Sequence, residues 1–252
     1  MFTLGQSERL IIQNRPMVRS LTPQLALPLA GGDKASFENF WVGEHTELVT
    51  GIKASIQLGE PKLVYFYGPQ SSGKSHLMVA AIRLSKAEVI NTSYFSLAHS
   101  KVTPELLETC DVAHVVCIDD INAWAGDLQK ERALFSLFEQ IKHAKGQLLV
   151  SANAPPQTCG FVLPDLVSRL SSGLVYALQP LSDEQQFKAI KFHADQRGLK
   201  IEDEAVRYLL SRSSRDTREL FILLDKIDHA SLVEQRRVTI PFLKSILNME
   251  VV

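Results

Sequence analysis

Apolar residues follow two rhythms along this 252-residue chain. Five short apolar runs fall at 63–67, 89–95, 112–118, 147–151 and 174–178, the clearest being Val112-Ala113-His114-Val115-Val116-Cys117-Ile118. Between them, apolar positions recur every three or four residues, notably from Gln129 to Ala144, where Leu134, Leu137, Phe138 and Ile141 share one face. Short runs without polar alternation, separated by helices, predict an α/β domain with a five-stranded parallel sheet covered on both faces. After about residue 181 the strand pattern stops. Ser182-Asp183-Glu184-Gln185 has the form of a capping box and opens a helix that ends near Gly198. Helices are expected over Asp203 to Arg212, Asp216 to Val233 and Ile240 to Leu247, with Leu220, Leu223, Leu224, Ile227, Phe242 and Ile246 as packing positions. Residues 1–35 have neither rhythm, carry prolines at 16, 23 and 28, and end at Gly31-Gly32. The expected organisation is therefore an extended arm over 1–35, an α/β domain over 36–180 and a small helical domain over 181–252.

Composition narrows the function classes. A net charge of −1 and a pI of about 6.7 give no basic excess for nonspecific DNA binding. Cys110, Cys117 and Cys159 lack metal-binding or C-x-x-C spacing, and Cys117 lies in an apolar run as a small core hydrophobe, so a reducing cytoplasm is expected. No run approaches the ~18 apolar residues of a membrane span, and the N-terminus has no signal-peptide pattern.

The chemistry begins at Gly68-Pro69-Gln70-Ser71-Ser72-Gly73-Lys74-Ser75, which fits G-x-x-x-x-G-K-[ST]. In this phosphate-cradling loop, successive backbone N–H groups curl around an anion. Lys74 can reach β- and γ-phosphates, and the Ser75 hydroxyl can ligate the Mg²⁺ that bridges them. The context agrees, because Lys62-Leu63-Val64-Tyr65-Phe66-Tyr67 reads as a strand and the segment from Ser75 to Ile82 as a helix. Asp119 and Asp120 follow the third apolar run. At a strand's C-terminal edge Asp119 suits the metal-holding role, while Asp120 can orient or deprotonate an attacking water. Two adjacent turn-forming acids are the alternative. Asn153, just past the fourth run, can position that water, or simply begin the loop before Pro155-Pro156. Arg169 precedes the last strand, where it can point toward a neighbouring subunit, and Arg218 begins a helix of the second domain, from which it can reach the nucleotide; taken alone, each reads as a solvated surface arginine. The seven histidines show no ligand spacing.

Taken in order, strand, phosphate loop, Asp-Asp, Asn, two arginines and a helical lid resemble an AAA+ ATPase, most closely the DnaA initiator family. The likeness covers about residues 36 to 248 and implies an AAA+ α/β domain followed by an α-helical lid. Phe37-Glu38-Asn39-Phe40-Trp41-Val42-Gly43 is similar to the family's adenine-wrapping stretch, which assigns Phe40, Val42 and, beside the loop, His76 to the nucleotide. Ser168-Arg169-Leu170 with Gly173 is similar to the arginine-finger segment, and Thr217-Arg218-Glu219-Leu220 to the sensor-2 helix. The implied ligands are ADP or ATP with Mg²⁺. Two departures are expected: the chain stops after the lid without a helix-turn-helix domain, and the arm carries Gln24-Leu25-Ala26-Leu27-Pro28-Leu29, similar to peptides that dock on the bacterial sliding clamp. Gln24, Leu25, Leu27, Pro28 and Leu29 are then partner-binding residues. The combination resembles DnaA-homologous regulators that, with the DNA-loaded clamp, stimulate hydrolysis of DnaA-bound ATP. The partners implied are the clamp, ATP-bound DnaA, DNA mainly through the clamp, and a second copy of this chain, with no membrane. Intrinsic ATPase activity would be weak or absent. The competing reading is an ATPase resembling helicase loaders that works by its own turnover. A metabolic kinase lacks an acceptor site.

Overall fold

The computed structural model describes residues 35–110, 112, 114–212 and 216–249. The clamp-like stretch from Gln24 to Leu29 lies outside these residues. Elements follow in the order α1 (Thr46–Leu58), β1 (Leu63–Tyr67), α2 (Lys74–Ala87), β2 (Thr92–Ser96), α3 (Pro104–Glu108), β3 (Val115–Asp119), α4 (Leu128–His143), β4 (Gln147–Ala152), α5 (Pro164–Ser171) and β5 (Leu174–Ala177). Four helices complete the chain: α6 (Asp183–Gln196), α7 (Asp203–Arg212), α8 (Thr217–Glu234) and α9 (Ile240–Met249).

All five strands are parallel, in the order β2-β3-β4-β1-β5. In β1, β3 and β4 the lack of polar alternation follows from burial on both faces, whereas β5 at the edge leaves Leu174 and Val175 exposed. Val64, Phe66, Val115, Cys117 and Leu149 pack under α1 and α2, against Leu48, Ile52, Leu77 and Met78. Leu63, Tyr65, Val116, Ile118, Leu148 and Val150 face the other way, toward Leu107 of α3, Leu134 and Leu137 of α4, and Leu166 of α5. Burying each such side chain is worth roughly 1.5–3 kcal/mol. Because β1 is an interior strand, paired with β4 and β5, the loop leaving its C-terminal end emerges between the ends of those two strands.

The expected second strand is displaced. Its first residues do not pair: Val89, 91% exposed, turns left-handed at φ 59°, and the N–H of Ile90 returns to the carbonyl of Ser85 to close α2. Pairing begins only at Thr92. The third strand likewise starts at Val115 rather than 112 and runs one residue further, to Asp119. The helix α1 had no counterpart in the sequence pattern.

The last four helices form a bundle with its own core, including Ile190, Val206, Leu209, Leu224, Phe242 and Leu243. Both halves of the capping box at Ser182 and Gln185 are made. A parallel bridge joins Ile201 to Val238. Among the described residues no helix is long and apolar enough to cross a membrane.

Candidate nucleotide site

The loop Gly68–Ser75 joins β1 to α2, and its glycines are required by close contacts. A Cβ on Gly68 would stand 2.4 Å from the Leu178 carbonyl oxygen. One on Gly73, whose φ is +96°, would stand 2.9 Å from the Phe40 ring. Ser71 is also left-handed at φ 61°. Lys74 is buried and its Nζ donates to the carbonyls of Gly68 and Pro69, each at 2.8 Å, so the ammonium lies inside the curl of the loop. Burial lowers its pKa, against the pull of Asp120 and Asp119. The buried Ser72 hydroxyl has no hydrogen-bond partner among the described residues. A loop with a buried cation and an unpaired hydroxyl is chemically fitted to an anion.

Asp119 closes the far side. Its carboxylate is almost fully buried and accepts from Ser75 Oγ at 3.0 Å, from the Tyr94 hydroxyl at 3.2 Å and from Ser151 Oγ. Ser75 and Asp119 thus present paired hard oxygens. Mg²⁺ is commonly held by one or two protein oxygens, with phosphate and water completing the octahedron, so these residues fit that ion. No cluster of three or more His, Cys, Asp or Glu suited to a metal occurs among the described residues. Asp120 turns left-handed at φ 56°, its N–H held by Ser151 Oγ at 3.0 Å. Burial and the neighbouring Asp119 raise its carboxyl pKa, with Lys74 opposing.

Beside the loop, a turn in which Ser36 N donates to Asn39 Oδ1 at 2.8 Å presents Phe40. The Phe40 ring lies 5.3 Å from His76, whose Nε2 is 2.9 Å from the Ser36 carbonyl oxygen. Burial lowers the pKa of His76. Val42 packs against the same cluster. The lid reaches this corner from two directions. Phe192 of α6 meets Trp41 edge-on at 5.8 Å, and Asp216 accepts from Ser71 Oγ at 2.8 Å while capping α8 through the N–H of Arg218. Arg218 therefore sits, exposed, in the first turn of a helix whose cap touches the phosphate loop.

The remaining expected site residues, Asn153 and Arg169, make other contacts. Asn153 is exposed; its N–H donates to Asn122 Oδ1 at 3.0 Å, which ties the loops after β3 and β4 together. Arg169 lies on α5, its Nε 3.0 Å from Glu139 of α4. Since α5 runs back toward the edge where strands begin, and the phosphate loop follows the edge where they end, the fold does not bring Arg169 to the chain's own loop.

Sequence reasoning missed several residues. Tyr94, Ser151 and Asp216 complete the site, and Ser151, a polar residue directly after the apolar Leu148-Leu149-Val150, was a visible signal. Glu131 is fully buried and accepts from the N–H groups of Gly126 at 2.8 Å, Val162 at 2.9 Å and Leu163 at 2.7 Å. It joins α4 to the connection that opens α5.

Comparison with known proteins agrees with this fold. Residues 32–177 match the family model of the bacterial DnaA ATPase domain, and residues 183–247 that of the Hda lid domain. Solved structures with similar folds include a replication initiator DnaA bound to AMPPCP and single-stranded DNA, at 23% identity and a TM-score of 0.67, over 81% of this chain and 68% of that one. AMPPCP-bound DnaA from Aquifex aeolicus gives 23% identity and a TM-score of 0.64, over 77% of this chain and 65% of that chain, so just under two thirds of that protein is spanned. Domain III of the Thermotoga maritima replication initiation protein DnaA gives 17% identity and a TM-score of 0.68, over 86% and 96%. With more than half its length matched by one family model and its lid by a second, the chain belongs to the DnaA family of AAA+ proteins, with a lid of the Hda kind.

Proposed function

We propose that this protein regulates the initiation of chromosome replication: it holds ADP or ATP with Mg²⁺ in its own site, docks on the sliding clamp through Gln24-Leu25-Ala26-Leu27-Pro28-Leu29, and stimulates hydrolysis of ATP bound to DnaA. The observation that carries the reading is the placement of Arg169, on the outer layer and remote from the phosphate loop of its own chain. An arginine so placed is available to a phosphate on another subunit, and fingers supplied in trans can be worth ~10³–10⁵ in rate. Support for the nucleotide comes from the buried Lys74, the Ser75–Asp119 pair and the Phe40–His76 corner, and from the AMPPCP bound in two DnaA structures of the same fold. In the arm, Leu25 and Leu27 are the apolar anchors and Gln24 the polar contact, as in other short docking peptides.

The test is a reconstituted assay of DnaA-bound ATP hydrolysis with DNA-loaded clamp. Arg169→Ala should abolish stimulation while nucleotide affinity in the chain's own site is unchanged. Lys in its place should substitute poorly, because a guanidinium is planar and grips phosphate by two donors. Normal stimulation by Arg169→Ala would remove the trans reading. A peptide of residues 20–32 should compete with the full-length protein for the clamp at high micromolar concentration; failure to compete would remove the docking assignment.

A second reading, turnover of the chain's own ATP, is favoured by Asp120, whose backbone N–H is held by Ser151 Oγ directly beside the metal-suited Ser75–Asp119 pair. Basal ATPase activity that falls in Asp120→Asn would support it.

A further inference from the structure

The lid meets the α/β domain at separate points. Its first helix, α6, touches the corner beside Phe40, through Phe192 on Trp41 and through Gln185, whose Nε2 donates to Glu44 Oε1 at 3.3 Å. The start of α8 touches the phosphate loop itself. One carboxylate makes that contact and also starts the helix. Asp216 Oδ2 accepts from Ser71 Oγ at 2.8 Å, while Oδ1 accepts from the N–H groups of Arg218 at 2.8 Å and Glu219 at 3.4 Å. Burial pushes the Asp216 carboxyl up, but the Ser71 hydroxyl, the two N–H groups and the Arg218 charge together hold it below the usual range. The donor, Ser71, lies between the two glycines of the loop, in a left-handed turn at φ 61°. An acid beside a phosphate cradle works against the anion by Coulomb repulsion. Phosphate binding therefore gives no reason for a carboxylate there, whereas a link between loop and helix does.

We infer that Asp216 is a positioning residue for the nucleotide: bound to Ser71 through one oxygen and capping α8 through the other, it fixes Arg218 relative to the phosphate loop. The inference rests on the nucleotide reading above and on Arg218 as a nucleotide contact. Hydrogen bonds to both oxygens of one planar carboxylate leave the first turn of α8 little freedom against Ser71. Arg218 is then placed before the nucleotide arrives, and a binding group that must instead be ordered on arrival loses much of its effect.

The experiment measures ADP affinity of the full-length protein by calorimetry in the presence of Mg²⁺. Arg218→Ala should weaken ADP about tenfold, the scale of a charge-assisted contact. Ser71→Ala, which leaves the α8 cap in place, should weaken it about fivefold, and Asp216→Gly, a change that an N-cap position tolerates well, should do the same. Added to Arg218→Ala, neither should weaken ADP further, because each acts through that arginine. Asp216→Asn keeps a capping oxygen and offers an amide N–H to the Ser71 hydroxyl, so it should stay close to wild type. Unchanged affinity in Ser71→Ala or Asp216→Gly, or a further loss when either is added to Arg218→Ala, overturns the inference alone. Unchanged affinity in Arg218→Ala also overturns it, by removing the group that is positioned, and leaves the nucleotide reading standing. A wild-type protein that binds no ADP overturns the nucleotide reading and this inference together.

Discussion

Replacing Glu131 tests how the two outer helices are joined. Its carboxylate is fully buried and takes three backbone donors, those of Gly126, Val162 and Leu163. Glu131→Ala strands all three. A buried donor without a partner costs roughly 1–3 kcal/mol. The lower end applies, because Val162 is itself exposed and water can enter the space left behind. The sum is about 3 kcal/mol. For a domain of this size 1 kcal/mol shifts Tm by roughly 2–4 °C, so the expected loss is about 6–12 °C. Glu131→Gln keeps one acceptor oxygen but turns an amide N–H toward a backbone donor, and should lose about half as much. Thermal unfolding followed by fluorescence of Trp124, 3% exposed in the same core, reads the global effect. Amide hydrogen exchange at Gly126, Val162 and Leu163 reads the local one. A Tm shift below 2 °C in Glu131→Ala, with those amides exchanging at the wild-type rate, would refute the reasoning.

Three further outcomes follow from the site and the lid. Lys74→Ala should weaken ADP binding at least tenfold by calorimetry without unfolding the core, since charge-assisted contacts are worth about 1.5–3 kcal/mol. Gly73→Ala, which places a Cβ 2.9 Å from Phe40 at φ +96°, should likewise cost at least tenfold in ADP affinity, measured the same way. The His193 pKa is lowered to about 4 by burial first, and then by the charges of Arg197 and His76. Because the unfolded imidazole titrates near 6.5, its contribution is full above that pH and is lost as pH falls toward 4. Between pH 7 and pH 5 urea unfolding of the lid should therefore lose about 2 kcal/mol, and His193→Gln should flatten the dependence.

The features legible in the sequence are those carried by consecutive residues. The phosphate loop is a contiguous backbone conformation, so its glycines and Lys74 identify it without any tertiary partner. The lid helices were placed within a residue or two because capping at Ser182 and Asp216 and the 3.6-residue period are local. Asp119 was legible as the polar end of an apolar run. The start of β2 was not, since Val89 and Ile90 are as apolar as a strand and only the left-handed closure of α2 removes them from it. The site's remaining chemistry joins residues far apart in the chain. Tyr94 and Ser151 converge on Asp119 because β2 and β4 flank β3, and Ser75 reaches it from the first turn of α2. Asp216 meets Ser71 across 145 residues, Glu131 meets Leu163 across 32, and Arg169 meets Glu139 only because α5 packs against α4. A hydrogen bond or ion pair needs its partners within about 3 Å. Periodicity says which face of an element is buried, but only the packed sheet and helices decide which two side chains come that close.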